Sequence, residues 1–305
     1  MDIFIFIISM GLLTFGADFI VNQSEKIALH FNISPFIIGA TLVALGTSLP
    51  EMAISMSASM KGSGDIAVAN VIGSTIFNIS LVLGIVFIVA KNINPKRDLF
   101  AKDSSWGLFP ILIFILMSLD GVISRLDGFM FIVLMGAYLM FLINSNKSEL
   151  NVSKDDKEKF NWLKTIGLLL IGFILVVGGA NFAIDSAGNI ARSFGISEWM
   201  IGLFLVAFGT SLPELVISVK AALKGKADLA IGAIIGSNVA NFTMVLGMSS
   251  MIKPLNIDLM ANIFDVLSAL IVSVMLVFVT ANRIYTKSTG VVLLIVLGLV
   301  ISHSF

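Results

Sequence analysis

The chain has 305 residues, 57% of them hydrophobic and 12% charged, and its 19 Lys and Arg balance its 19 Asp and Glu. A mean hydropathy of +1.03 excludes an ordinary water-soluble domain, where ~45–50% apolar and ~25% charged residues are usual. The balanced charge offers no basic face for nucleic acid. With no Cys and only His30 and His303, disulfide frameworks, thiolate zinc sites, cysteine nucleophiles and histidine metal centres fall away.

A membrane-crossing helix needs about 20 mainly apolar residues. That length predicts ten, near 3–21, 35–60, 65–90, 105–120, 127–143, 163–186, 198–222, 228–251, 259–281 and 286–304. The first carries Asp2 where a cleavable leader has basic residues, and it shows no small-residue cleavage site, so it reads as a retained span. The second contains Gly46-Thr47-Ser48-Leu49-Pro50-Glu51. The third opens near Asp65 and runs through Ile72-Gly73-Ser74 to Asn78. The polar run Asn144–Lys164 divides the chain into a first repeat at 1–143, a cytoplasmic linker at 144–162 and a second repeat at 163–305. The seventh and eighth spans then repeat the motifs of the second and third, and the ninth holds Asp265.

Five spans per half turn the second half upside down relative to the first, as in inverted-topology transporters. With the N-terminus outside, the inner loops hold 15 of the 19 Lys and Arg, which satisfies the positive-inside rule and sets both termini outward. The expected architecture is all-α: a polytopic protein of ten transmembrane helices in two inverted five-helix repeats, in the plasma or inner membrane.

The halves are related in sequence as well as in layout. At a constant offset of 163, residues 39–85 align without gaps to 202–248, with 24 identities in 47 positions. Gly46–Glu51 recurs unchanged as Gly209-Thr210-Ser211-Leu212-Pro213-Glu214. Ile72-Gly73-Ser74 and Asn78 recur as Ile235-Gly236-Ser237 and Asn241, and Gly16-Ala17-Asp18-Phe19 pairs with Gly179-Ala180-Asn181-Phe182. Chance similarity between apolar helices would share Leu, Ile and Val, not an acid, a proline and hydroxyls.

The repeated residues have a definite chemistry. Pro50 and Pro213 lack an N–H and crowd the carbonyls of Gly46 and Gly209, so each helix is expected to break there. A broken helix within a bilayer is tolerated where other groups satisfy the backbone or where it lines a cavity. Thr47, Ser48 and Glu51 share a helix face, and Ser74 and Asn78 stand one turn apart. Each half therefore offers a carboxylate, hydroxyls, an amide oxygen and loosened carbonyls, a donor set for hard cations such as Ca²⁺, Na⁺ or Mg²⁺. Plain interhelical glue is the bland alternative. A mid-membrane carboxylate is costly enough to mark an ion path, and here there are two. The remaining polar residues read as structural. Asp65 and Asp228 are expected at helix N-caps, Asp18 and Asp185 at solvated interfaces, Asp265 deep in its span, and His30 and His303 in a loop and the tail. Asn78-Ile79-Ser80 and Asn241-Phe242-Thr243 fit a glycosylation pattern that burial makes idle.

On these residues the chain resembles the sodium/calcium exchanger family of the cation/calcium exchanger superfamily, whose two α-repeats carry the paired motifs; the short linker resembles the prokaryotic members. The resemblance implies a diamond of four ion sites. Glu51 and Glu214 would bind Ca²⁺, with backbone oxygens of Thr47 and Thr210. Ser48, Ser74, Ser211, Ser237 and the carbonyls of Ala44 and Ala207 would line Na⁺ sites together with the glutamates, and Asn78 and Asn241 would complete the centre. It also implies that the first and sixth spans slide across a rigid core, that three Na⁺ move per Ca²⁺, that no resident cofactor is needed and that one chain suffices. Some relatives, K⁺-dependent exchangers among them, carry Asp where this chain has Asn241, which points away from K⁺ cotransport. The family often has Gly-Asn before the Ile-Gly-Ser run, and here that pair is split into Ala69-Asn70 and Gly232-Ala233. The competing readings are a Ca²⁺/H⁺ antiporter of the same superfamily, which typically carries Gly-Asn-x-x-Glu instead, an ion channel, and, more remotely, an intramembrane enzyme.

Overall fold

The structure, a computed structural model, describes residues 2–90, 93, 95, 98–99, 103–145, 160–193 and 208–303. Helix α1 (Asp2–Phe31) outruns the span expected at 3–21 because nothing breaks it before Asn32, which turns the chain at φ +54°. At 30 residues it is ~45 Å long, more than a ~30 Å hydrocarbon core requires without tilt. Helix α7 (Trp162–Ser193) has 32 residues and packs along α1. Small residues let the two backbones close: a Cβ on Gly16 would lie 2.8 Å from the Gly172 carbonyl, and one on Gly179 would lie 3.2 Å from that of Ser9.

The expected span at 35–60 is two helices, α2 (Pro35–Thr47) and α3 (Leu49–Met60), bent 45° at Ser48. Ser48 has φ −80° and ψ 5°, outside helical geometry, and Pro50 falls in the first turn of α3, where its missing N–H costs nothing. After a left-handed turn at Gly62 (φ +82°), α4 (Gly64–Val89) crosses the molecule. Helix α5 (Ser104–Met117) follows. Helix α6 (Arg125–Asn144) starts earlier than expected because Ser124 and Asp127 form a reciprocal cap, Asp127 N–H to Ser124 Oγ at 3.2 Å and Ser124 N–H to Asp127 Oδ2 at 2.8 Å.

In the second half, α8 (Leu212–Leu223), α9 (Ala227–Ile252), α10 (Ile263–Ala281) and α11 (Lys287–His303) reproduce the later spans. The stretch 198–207 of the seventh expected span lies outside the described residues. Among those described, six helices are long and apolar enough to cross a membrane, seven if α2 and α3 form one span, with α5 and α11 as shorter apolar helices. One departure from an all-helical chain is a two-residue antiparallel bridge, β1 (Val122–Ile123) with β2 (Leu255–Asn256), paired Val122↔Asn256 and Ile123↔Leu255.

Burial grades the helices from centre to rim. Of the most apolar stretch of α9, 94% is buried, and 72% of that of α4, against 28% for α1 and α6 and 33% for α7. Ile3, Phe4, Phe15, Leu163 and Ile174 on α1 and α7 point outward, the apolar exterior a lipid-facing helix requires. Five polar residues sit elsewhere than expected. Ser63 and Lys226 occupy the N-cap positions, leaving Asp65 and Asp228 in the first helical turn, where they favour the positive end of the helix dipole. Asp265 is also in a first turn, of α10, and not deep in its span. His30 and His303 close helices α1 and α11, and His30 stacks on Phe160 at 4.0 Å.

Candidate ion-binding site

Two helix breaks meet at the centre of the molecule. Ser48 and Ser211 stop their helices with nearly the same backbone angles, φ −80°, ψ 5° and φ −88°, ψ 2°. Each break puts a glutamate in the first turn of the helix that follows, Glu51 in α3 and Glu214 in α8. The unbonded N–H groups of that turn favour negative charge. The glutamates are 1% and 2% exposed, and each stands near enough to feel the other's charge.

Three of the four neighbouring hydroxyls cross between the halves. The Thr210 hydroxyl lies beside Glu51, and the hydroxyls of Thr47, Ser48 and Ser237 lie beside Glu214. None of these approaches completes a hydrogen bond, so all four carboxylate oxygens are buried and unpartnered. The same holds for Ser48 Oγ, Ser74 Oγ, Ser211 Oγ, Asn78 Oδ1 and Asn241 Oδ1. Buried polar atoms are paired in more than nine cases in ten. Nine orphaned oxygens around one locus mark a place built for a guest that supplies positive charge.

The supporting helices explain how these oxygens stay free. Helix α4 enters a π-helical turn at Asn78 (Asn78–Leu83) and α9 enters one at Asn241 (Asn241–Val245). Such a widened turn breaks the regular bonding ladder and is frequent at functional sites. Asn78 Nδ2 donates to Asn238 Oδ1 at 3.1 Å, which spends the amide's donor end and leaves its oxygen available. Thr47 Oγ1 donates to the Ala44 carbonyl at 3.0 Å and lies 3.3 Å from Ser237 Oγ. The Ala44 carbonyl also accepts from Ser48 N–H at 3.0 Å, so a cation there would compete with two donors. Ala207 lies outside the described residues.

Thr47, Ser48, Glu51, Ser74, Asn78, Thr210, Ser211, Glu214, Ser237 and Asn241 are thus all buried residues of the two breaks and the two central helices. Asn238, which orients Asn78, was not singled out by sequence; the signal was an amide at a buried helical position beside the repeated Ser237. Glycines let α2 cross α9 on the backbone: a Cβ on Gly236 would lie 2.4 Å from the Ala40 carbonyl and one on Gly232 would lie 2.2 Å from that of Phe36. The described residues hold no cluster of three or more Asp, Glu or His. The donors are two carboxylates and neutral oxygens, suited to hard cations. A cavity of about 170 Å³ between α7 and the two proline breaks reaches the site at Thr210, with Pro50, Pro213 and Asn181 in its wall.

The chain matches the sodium/calcium exchanger protein family over residues 1–144 and 164–305. It is 39% identical over 246 residues to an uncharacterized membrane protein of Methanocaldococcus jannaschii, covering 81% of this chain and 80% of that one. It is 29% identical over 331 positions to the sodium/calcium exchanger MaX1 of Methanosarcina acetivorans, covering 95% and 94%. A structure of the sodium-calcium exchanger NCX_Mj, soaked with 10 mM Na⁺ and no Ca²⁺, aligns over 99% of this chain and 98% of its own with a TM-score of 0.84 at 34% identity.

Proposed function

The chain belongs to the sodium/calcium exchanger family, and from that premise we propose that it exchanges Na⁺ for Ca²⁺ across the membrane by alternating access at Glu51 and Glu214. Membership makes it a multi-pass secondary transporter of cations and not an enzyme. The observation that carries the specific reading is the pair of buried glutamates with no hydrogen-bond partner. Each unpaired charge costs several kcal/mol to hold away from water.

That penalty is also the coupling. An empty carrier holding two bare carboxylates resists the inward–outward transition. One Ca²⁺ cancels both charges, and Na⁺ ions competing for the same oxygens can do so in its place. Loading one ion therefore expels the other, and the carrier crosses only when loaded. In this reading Ca²⁺ is held by Glu51, Glu214 and the backbone oxygens of Thr47 and Thr210. Na⁺ is held by Ser48, Ser74, Asn78, Ser211, Ser237 and Asn241 with the glutamates and the carbonyls of Ala44 and Ala207. Three Na⁺ per Ca²⁺ would leave one net positive charge and make the cycle voltage-sensitive. The neutral amide at Asn241 favours K⁺ independence.

The same reading assigns ten spans in two inverted halves, 1–143 and 163–305, about a cytoplasmic linker at 144–162, with both termini outside. The 163-residue offset supports it, because the two breaks, glutamates and π-helical turns recur at that spacing. The test is ⁴⁵Ca²⁺ uptake into proteoliposomes under an outward Na⁺ gradient, then under a pH gradient, with and without K⁺. Uptake driven by Na⁺ and indifferent to K⁺ is the expected result. Uptake driven by the pH gradient alone would transfer the protein to the Ca²⁺/H⁺ reading.

A further inference from the structure

The two glutamates are not held alike. Asn70, on α4 one turn before Ser74, donates its Nδ2 to the backbone carbonyl of Glu51 at 3.2 Å and to Ser55 Oγ at 2.9 Å. Ser55 Oγ in turn donates to the Ala67 carbonyl at 3.4 Å. One amide therefore ties the first turn of α3, which carries Glu51, to the side of α4. The position equivalent to Asn70 in the second half is Ala233, which has nothing to donate. There Ser218, the equivalent of Ser55, is fully buried and its Oγ has no partner.

We propose that Asn70 is a positioning residue that fixes the Glu51 side of the site while the Glu214 side is left free to adjust. The proposal rests on the ion-exchange reading for its consequence and on geometry for the brace itself. It also accounts for the split of the Gly-Asn pair. In the second half the glycine is kept at Gly232, where the Phe36 carbonyl leaves no room for a side chain. In the first half Ala69 is exposed, so that restriction is absent and the amide at Asn70 is kept instead. A divalent guest needs both carboxylates at ~2.3–2.6 Å together. A wandering Glu51 therefore weakens Ca²⁺ more than Na⁺, whose single charge and other oxygens tolerate a looser fit.

The test compares wild type with Asn70→Ala and, as a milder variant, Ser55→Ala. Amide hydrogen exchange is followed in Leu49–Met60 and in Leu212–Leu223, together with the Ca²⁺ KM and the Na⁺ half-saturation of transport. In Asn70→Ala, exchange should quicken in Leu49–Met60 and stay unchanged in Leu212–Leu223. The Ca²⁺ KM should rise about three- to tenfold, the worth of one or two neutral hydrogen bonds, while the Na⁺ constant stays within about twofold on the same reasoning. Ser55→Ala should do the same more weakly. Unchanged exchange in Leu49–Met60, equal quickening in both segments, or Ca²⁺ and Na⁺ constants that move together would overturn the proposal. If the wild type itself shows no Na⁺-driven Ca²⁺ uptake, the exchange reading falls, and the hydrogen-exchange comparison alone decides whether Asn70 braces the turn.

Discussion

A carboxylate with no counter-ion survives in a bilayer only where something compensates it for part of the time, and among the described residues no cationic side chain pairs with Glu51 or Glu214. Glu51→Gln or Glu214→Gln removes one charge and should abolish Na⁺-driven Ca²⁺ flux in proteoliposomes, a loss of at least about a hundredfold if the ~3–5 kcal/mol typical of breaking a buried charge pair applies. Flux at the wild-type level from either variant would reject the assignment. Asn241→Asp adds a third acid at the start of a π-helical turn, and K⁺ should then stimulate uptake; a flat K⁺ response would remove position 241 as the determinant. Both glutamates and their hydroxyls were legible in the sequence because an acid beside a proline at mid-span is too costly to persist unless it serves an ion path. Asn70 and Asn238 were not, because an amide in an apolar helix carries no sign of which carbonyl it will meet.

Each helix break is a local consequence of Pro50 or Pro213, and its angle depends on what packs around it. The close crossing of α2 over α9 depends on Gly232 and Gly236, whose Cβ positions are filled by the Phe36 and Ala40 carbonyls. Gly236→Ala should separate the two helices and lower stability by about 1–3 kcal/mol, the usual cost of overpacking. The fall is read as an earlier thermal unfolding midpoint in detergent. Gly136→Ala on α6 is the control: nothing lies within 4 Å of its Cβ position, so the better helix former should leave the midpoint unchanged or raise it. The π-helical turns at Asn78 and Asn241 were not foreseen. An extra residue in a turn leaves the apolar pattern almost intact, and only the backbone bonding registers it.

At the scale of the molecule, α1 and α7 lie together against the rest, and α1 is tied to it by charge at the α8–α9 connection. Asp18 pairs with Lys220 at 2.9 Å and with Lys224 at 2.6 Å, Lys224 reaches Asn22 at 2.8 Å, and Lys226 pairs with Glu25. Asp18, expected at a solvated interface, has a side chain 28% exposed and is partnered, an ion pair that only folding reveals. In the proposed cycle α1 slides along the core, so these ties must open on each turnover. Asp18→Asn should raise Vmax by about two- to fivefold, as partly exposed pairs are worth up to ~1 kcal/mol each, and should leave the Ca²⁺ KM unmoved. A slower variant, or one changed only in KM, would show that the ties serve another purpose. The wild type should approach the variant's rate at high ionic strength, because exposed charges are screened within ~3 Å at 1 M salt.

Composition, periodicity and the 163-residue repeat sufficed for a helical membrane protein with twin acidic motifs, because solvent preference and proline sterics act on each segment wherever it lies. Folding alone decided that Thr210 approaches Glu51 while Thr47 and Ser48 approach Glu214, that Asn78 is turned by Asn238, and that Asn70 ties the turn carrying Glu51 to α4. Those are relations between residues 159 or more positions apart, or between helices whose facing sides no single segment encodes. They depend on the distance and orientation at which hydrogen bonds form, which exist only once the chain has packed.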